Sequence, residues 1–236
     1  MKKISYLENK HFTIKNGILL KFKDEKVDKV HIPEGVVSIG EKAFLTSRIR
    51  SLELPESLIS IEKRAFWGCN CLIRIVIPDN VESIGNNAFE QCNKLESLVL
   101  GKNVRRIGYG AFRNCMNIVG NVSGESVKYI GDHAFSNCQY VNIFDFPECT
   151  DIGDCTFNSC FNLQFITLGA IKKIGNSTFY LCHNLETFSV PQSVLQICRD
   201  AFKYCRNLVI KVPENLIQIE KIGENAFYNC KKVIYI

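Results

Sequence analysis

The chain has 236 residues, of which 46% are hydrophobic and 22% charged, and its formal net charge is +5 at pH 7. This balance is typical of a folded domain with enough apolar surface for a continuous core. The lysines and arginines are scattered, without a basic run or an interleaved aromatic strip, so nucleic-acid binding is not expected. No segment is long and apolar enough to cross a membrane. No export signal is visible, because Glu8, Asn9 and Lys10 interrupt the stretch that follows the basic start.

The first predicted element is a β-hairpin near the N-terminus. Two alternating runs, Phe12–Ile14 and Ile18–Phe22, are joined through Asn16-Gly17, the pair that favours a tight primed turn. We interpret residues 1–26 as an N-terminal β-hairpin cap. It would cover the apolar end of the first repeat.

From residue 27 to residue 236 the chain is built from a short repeat. One short motif recurs about every 22 to 25 residues, in nine copies. It consists of Ile-Gly, two variable residues, Ala-Phe (or Thr-Phe), two more residues and Cys. The phenylalanines are Phe44, Phe66, Phe89, Phe112, Phe135, Phe157, Phe179, Phe202 and Phe227. Because a unit this short cannot bury its own apolar face, the copies are predicted to stack along an axis as a solenoid.

Within a copy, the spacing Leu95-x-x-Leu98-x-Leu100 has the two-residue period of a half-buried strand. Each copy is therefore expected to add one short strand to a parallel sheet. Six copies have proline directly after this strand, where it closes the ladder and forces a corner. The Ala-Phe pair is expected to open a helical turn that places the ring in the core.

This pattern strongly resembles the BspA-like leucine-rich repeats, a class with 22- to 23-residue repeats, over residues 27 to 236. The resemblance implies a leucine-rich repeat solenoid of α/β class with mostly β content. It further implies a curved right-handed superhelix, a parallel sheet on the concave side and short helical turns on the return limb. It also implies protein recognition or adhesion, usually at a cell surface.

The chain has 12 cysteines, and eight of them occupy one position three residues after the phenylalanine. Stacked strands lie about 4.8 Å apart, which suits a disulfide poorly because its Cβ atoms are about 3.8 Å apart. The column also spreads its sulfur atoms instead of converging them as zinc requires. We therefore predict buried structural thiols, no metal site and no cofactor. Three cysteines outside the column are interpreted as sequence variation within the repeat: Cys149, Cys155 and Cys198.

Catalytic patterns are not found in the sequence. The four histidines lie in different repeats, with no base beside a thiol, and no phosphate-binding loop or nucleophile elbow occurs. The prediction is that the protein is not an enzyme.

Residues that the repeat leaves free on the strands are the candidates for binding. Alternation turns them away from the core, and those in the middle repeats form an apolar stripe with a charged rim. The candidate concave-face residues are Arg74, Val76, Val99, Val122, Ile143, Asp145, Phe165 and Thr167. The other interpretation is that β-branched residues simply suit a pleated surface. Asn121 and Ser123 stand where core leucines are expected, and a register shift there would turn Val122 inward.

The favoured function is non-enzymatic recognition of, or adhesion to, a protein ligand of unknown identity. The alternative is a structural module that associates with itself through the C-terminal strand, with homo-association depending on Ile234 and Ile236. Localisation stays open: the lack of an export signal favours the cytoplasm, whereas the resemblance favours the cell surface or secretion.

Overall fold

A computed structural model describes residues 11–23, 27–218 and 220–236. The elements, in chain order, are β1 (Phe12–Lys15), β2 (Ile18–Phe22), β3 (Lys29–His31), β4 (Ser38–Ile39), β5 (Ser51–Glu53), β6 (Ser60–Ile61), β7 (Arg74–Val76), β8 (Ser83–Ile84), β9 (Ser97–Val99), β10 (Arg106–Ile107), β11 (Gly120–Ser123), β12 (Tyr129–Ile130), β13 (Val141–Phe146), β14 (Asp151–Ile152), β15 (Phe165–Leu168), β16 (Lys173–Ile174), β17 (Thr187–Ser189), β18 (Gln196–Ile197), β19 (Val209–Val212), α1 (Asn215–Gln218) and β20 (Lys232–Tyr235). The repeats form the stacked coils of a solenoid, as predicted.

Each complete coil has three sides. The front strand comes from the leucine-spaced segment, the back strand from the two residues before the glycine of Ile-Gly, and the turn side carries Ala-Phe and Cys. The back strands form an eight-stranded sheet, β1-β2-β4-β6-β8-β10-β12-β14, and a separate pair, β16-β18. The front strands form three sheets, β3-β5-β7-β9, β11-β13-β15 and β17-β19-β20. The front strand agrees with the prediction from the sequence, whereas the back strand was not predicted.

The predicted hairpin is present and joins the solenoid directly. β1 and β2 pair antiparallel around Asn16 and Gly17, whose φ angles of 51° and 76° fit a primed turn. β2 also pairs with β4 in parallel, so it is the first strand of the back sheet. The ring of Phe22 stacks on Phe44 at 5.0 Å, which extends the aromatic core into the hairpin. The predicted boundary at residue 26 falls outside the described residues.

The core is a ladder of phenylalanine rings along the axis. Successive rings from Phe44 to Phe112 lie 4.8 to 5.3 Å apart and are nearly parallel. Every ring from Phe44 to Phe202 in this column is buried. Backbone bonds follow the same path, since the Phe66 N–H donates to the Ala88 carbonyl at 2.8 Å and Phe89 repeats this with Ala111. Side-chain burial and main-chain bonding therefore reinforce each other on the turn side.

The turn side differs from the prediction of a helical turn. It consists of consecutive tight turns, such as Ala65 N–H to Glu62 carbonyl and Trp67 N–H to Arg64 carbonyl, each at 3.1 Å. A helix cannot propagate because two residues per coil have a left-handed backbone conformation. They are the residue before Ala-Phe and the second residue after it. Arg64 at φ 56° and Gln91 at φ 63° are examples. In the described ranges the single α-helix is the four-residue α1, in the longer loop of the ninth repeat.

Replacement of Phe112 with alanine is expected to lower the free energy of unfolding by about 3–5 kcal/mol, because a fully buried ring is replaced by a cavity between two stacked neighbours. Urea denaturation measures this loss. Tyr109→Ala in the same coil is the control, since Tyr109 is exposed, and we expect a change within about 0.5 kcal/mol. An unchanged midpoint for the Phe112 variant would contradict the assignment of this column to the core.

Replacement of Arg64 with glycine is expected to stabilise the fold by up to about 1 kcal/mol. A non-glycine residue at φ 56° carries the steric cost of the left-handed region, which glycine does not. Arg64→Ala removes the same side chain but keeps the strain, so it isolates the backbone effect. Equal melting temperatures for the two variants would show that the left-handed backbone is not costly here.

Candidate protein-binding surface

The front face is the set of side chains that point outward from the front strands. In β7 and β9 these are Arg74 paired with Ser97 and Val76 paired with Val99, while Ile75 and Leu98 point into the core. The same alternation continues through the other front strands. Neighbouring coils thus place equivalent side chains in columns across the face.

The structure exposes most of the predicted residues on this face. Arg74, Val76, Val99, Phe165 and Thr167 are exposed. Val76, Val99 and Phe165 are 42%, 45% and 43% exposed, high values for large apolar side chains. Ile143 and Asp145 are half-buried at the equivalent positions of β13.

Val122 was wrongly assigned to the surface: it is 1% exposed and belongs to the core. The pairing of β11 with β13 shifts between Gly120 and Asn121, so that Val122 lies beside the buried Phe144. Asn121 and Ser123 point outward in its place. The physical reason is that Asn121 and Ser123 would lose their hydration if they pointed into the core. The strand therefore adopts the register that buries Val122.

Val119 is a front-face residue that the sequence analysis did not include. It is 59% exposed, just before β11, and its N–H donates to the Glu96 carbonyl at 3.0 Å. This bond places Val119 at the start of the front limb, level with Glu96 and three residues before Val99, so it does not replace Val122 in the apolar stripe. The polar residues Asn121 and Ser123 were the sequence signal for this rearrangement.

The middle of the front face is poor in charge. Each of the strands β9, β11, β13, β15 and β17 contributes two outward positions, and in these described strands Asp145 is the one charged residue among them. The full set is Ser97, Val99, Asn121, Ser123, Ile143, Asp145, Phe165, Thr167, Thr187 and Ser189. The chain as a whole carries 29 basic and 24 acidic residues, so the local depletion is pronounced.

Charged residues lie at the two ends of the face. On the N-terminal side His31 Nδ1 lies 3.0 Å from Glu53 Oε2, and Arg74 follows in the next coil. On the C-terminal side Lys211 and Lys232 are exposed. An uncharged centre with a charged rim is the usual anatomy of a protein interface.

Two grooves cross the front face where neighbouring strands part. One, of about 340 Å³, lies between β5 and β7, which pair at Ser51 and Arg74. The other, of about 390 Å³, lies between β15 and β17 and is lined by Phe165, Thr167, Thr187, Ser189 and Pro191 among others. The first contains Glu53, Glu56 and Arg74, whereas no lining residue of the second is charged.

The cysteine column lies inside the turn side and is a structural feature. Each thiol donates to the carbonyl of the phenylalanine one coil earlier, at 3.0 to 3.3 Å, as Cys69 does to Phe44 and Cys115 to Phe89. All 12 cysteines are free thiols. Burial raises the pKa of Cys92, Cys115 and Cys138, so these thiols stay protonated at neutral pH and are poor nucleophiles.

Outside the column, the titratable residues of the described ranges do not converge on one point. His133 is on the turn side, where burial first and the nearby Arg113 second lower its pKa. His183 Nδ1 lies 3.0 Å from the carbonyl of Tyr204, two coils away from His133. Among the described residues there is no group of three or more His, Cys, Asp or Glu side chains placed to hold a metal ion. In the same ranges, no helix is long and apolar enough to span a bilayer.

Trp67 lies away from the front face. It is half-buried on the turn side, and its indole Nε1 donates to Glu90 Oε2 at 3.2 Å. Its side chain therefore contributes to contact between coils and not to the apolar stripe.

Comparison with known proteins places this architecture among bacterial repeat proteins. The family model of the BspA type leucine-rich repeat region matches residues 20–141 and 121–234 in six copies. A leucine-rich repeat protein of T. pallidum is 29% identical, with a TM-score of 0.69, over 75% of this chain and 89% of that protein. A leucine-rich cell surface protein of Faecalibacterium prausnitzii is 28% identical, with a TM-score of 0.55, over 89% of this chain. This chain spans 60% of that protein's length.

A protein from Eubacterium ventriosum, 19% identical with a TM-score of 0.55 over 96% of this chain and 51% of that protein, shares the fold. No curated protein matches the sequence.

Stability is expected to fall as the pH rises from 7 to 9.5, because buried column thiols such as Cys92, Cys138 and Cys160 have a higher pKa in the folded protein than in the unfolded chain. Their contribution is fully present below the unfolded pKa of about 8.5 and is lost as the pH rises toward the folded values, which reach about 12 for Cys230 at the end of the column. Urea midpoints at several pH values measure the slope. The triple variant Cys92→Ala, Cys115→Ala and Cys138→Ala should be less stable but show a shallower slope. Parallel slopes would contradict this account.

Proposed function

The chain belongs to the BspA-type leucine-rich repeat family, and from this we propose that it is a non-enzymatic recognition or adhesion module that binds a protein ligand through its front face. The observation that carries the proposal is the charge-poor, partly apolar centre of that face. Val99 and Phe165 are its main exposed apolar side chains, and the exposed Val76 adjoins it on the N-terminal side.

The lack of charged residues distinguishes this face from a surface whose composition reflects β-propensity alone. β-propensity explains valine and threonine on a pleated sheet, but it does not by itself exclude lysine and glutamate from solvent-exposed positions. The back side of the same coils carries Arg105, Arg106, Lys128, Lys172 and Lys173 in outward positions. A solvated face of this protein is therefore normally charged, and the front face departs from that rule.

The geometry also favours binding without a large ordering cost. The front side chains are held at strand spacing by paired backbones such as β7 with β9 and β13 with β15. Many of them are short or β-branched, so little side-chain entropy is lost when they become buried. The partner that fits is a protein surface with an uncharged, apolar centre, and the charged ends of the face would then set its orientation.

Adhesion at a cell surface is the setting that the relatives support best. The Faecalibacterium protein is described as a leucine-rich cell surface protein. Since this chain spans only part of that protein, the setting is carried over here as part of the proposal.

The proposal is tested by capture of a partner with the wild-type chain and with the variant Val76→Glu, Val99→Glu and Thr167→Glu, followed by mass spectrometry. We expect one partner to be retained by the wild type and lost by the variant, because three carboxylates would be buried at the interface, those at positions 99 and 167 in its uncharged centre.

A matched control carries the same added charge elsewhere. Val37, Ile59 and Leu195 are exposed apolar residues on the back side, 37%, 48% and 60% exposed, so their triple replacement by glutamate should leave capture unchanged. Loss in both variants, or in neither, would contradict the assignment to the front face. Capture of the chain by itself, lost on replacement of Ile234 and Ile236, would instead support self-association through β20.

A further inference from the structure

The positions directly after the column cysteines carry no acidic residue in any coil. These edge pairs, two residues per coil from Asn70-Cys71 to Lys231-Lys232, lie where the turn side meets the front strand. Of their 16 residues, seven carry a carboxamide, four are lysine or arginine and none is aspartate or glutamate. All lie within the described ranges, and none is buried. Since the chain has 24 acidic residues in all, the edge pairs form a surface of distinct composition.

The backbone holds successive edge pairs in register. The Asn184 N–H donates to the Phe161 carbonyl at 3.2 Å, and the Asn207 N–H donates to the His183 carbonyl at 3.3 Å. The rings of Phe161 and His183 stack at 5.5 Å with an angle of 13° between their planes. The same kind of surface is therefore repeated once per coil along the solenoid axis.

The fold does not use up the hydrogen-bonding capacity of these side chains. Asn184 Nδ2 donates to Asn162 Oδ1, and Asn207 Nδ2 donates to Asn184 Oδ1, both at 3.4 Å. A carboxamide has two N–H donors and two acceptor lone pairs, so each of these residues keeps a donor or an acceptor for a ligand. Carboxamides thus match the hydroxyl groups of a sugar, which also donate and accept.

Aromatic rings lie among the amides. Tyr140 is 48% exposed, and Phe161 is half-buried in the next coil. A tyrosine ring offers apolar surface together with a polar hydroxyl group. A sugar ring has the complementary character, with apolar C–H faces and a polar rim. The residue types of the edge pairs therefore suit a carbohydrate.

The spacing of the coils favours an extended glycan over an extended peptide. Neighbouring rings lie 5.5 Å apart at Phe161 and His183, and 5.0 Å apart at Phe179 and Phe202 in the core. One sugar of an extended polysaccharide has a similar length, so successive sugars meet successive edge pairs when the chain lies along the axis. An extended peptide repeats about every 3.3 Å and does not keep this register.

Unpaired cations lie at the C-terminal end of the edge pairs. Arg206, Lys231 and Lys232 are exposed. The neighbouring Lys203 pairs with Asp200 at 3.0 Å, whereas no ion pair in the described ranges includes any of these three cations. A guanidinium group binds a carboxylate through two parallel hydrogen bonds, and the two ammonium groups add charge. This end therefore favours a glycan that carries carboxylates.

We propose that the edge pairs bind a linear polysaccharide containing uronic acids, which lies along the solenoid axis with a carboxylate at Arg206, Lys231 and Lys232. Its other sugars contact Tyr140 and the amides of the middle coils. This site goes beyond the recognition of a protein by the front face and does not rest on it.

The proposal is tested by titration calorimetry with an octasaccharide of hyaluronan, a linear glycan with a uronic acid in every second sugar. The wild-type chain should bind it, and the variant Arg206→Gln, Lys231→Gln and Lys232→Gln should bind about tenfold or more weakly, because charge-assisted hydrogen bonds are lost. All three side chains are exposed, so the variant should melt as the wild type does.

A matched control removes the same charge from the back side. The variant Arg105→Gln, Lys128→Gln and Lys172→Gln loses three exposed cations that are not in the edge pairs, so its affinity for the octasaccharide should equal that of the wild type. No binding by the wild type, or an equal loss in both triple variants, would overturn the proposal.

Polyphosphate, a chain of negative charges without sugars, separates a glycan site from a surface that attracts any polyanion. Replacement of Tyr140 with alanine should weaken octasaccharide binding several-fold, because a ring contact is lost, and should leave polyphosphate binding unchanged. Octasaccharide binding that is insensitive to Tyr140→Ala, together with equal binding of polyphosphate, would show that charge alone acts and would overturn the assignment to a glycan.

Discussion

The structure depends on the stacking of each turn-side segment on the next. The Phe44 N–H donates to the Ala65 carbonyl at 2.7 Å, and the two phenylalanine rings of those coils stack at 4.8 Å. The Cys69 thiol adds a bond to the Phe44 carbonyl. These contacts use the backbone and two recurring side chains, Phe and Cys, and buried Leu, Ile, Val and Ala complete the core, so the exposed positions of the repeat are free to vary. That freedom explains how the front and back faces of the same coils can differ so strongly in charge.

Sequence reasoning predicted the parts of the fold that recur in every copy. Several repeats show the same pattern for the phenylalanine column, the front strand and the buried thiols. One irregular copy therefore does not change the prediction. The back strand was missed because two residues, such as Ser60 and Ile61, are too short to show a two-residue period. The left-handed turn positions were missed because Lys42, Arg64 and Leu181 occupy them, where glycine would have been the usual signal.

The candidate site was predicted as far as simple alternation holds. It holds at Val76 and Val99, where leucine-type core residues flank the exposed ones. It fails at β11, since Asn121 and Ser123 replace the core leucines and burial then selects Val122. Spacing alone cannot decide such a case, because a one-residue shift of register exchanges the buried and the exposed face of the strand. The register that forms is the one that buries the fewest polar side chains.

A fold in which each coil contacts only its neighbours also responds to irregularity locally. The register shift between β11 and β13 is such a case, because β13 and β15 in the next coil pair without a shift. The turn side is unaffected, since its bonds run between nearly identical Ala-Phe or Thr-Phe segments, as from the Phe112 N–H to the Ala134 carbonyl at 2.8 Å. The register of a front strand depends instead on which of its side chains are buried. The irregularity therefore falls where side chains are free to vary, on the surface that we propose for recognition.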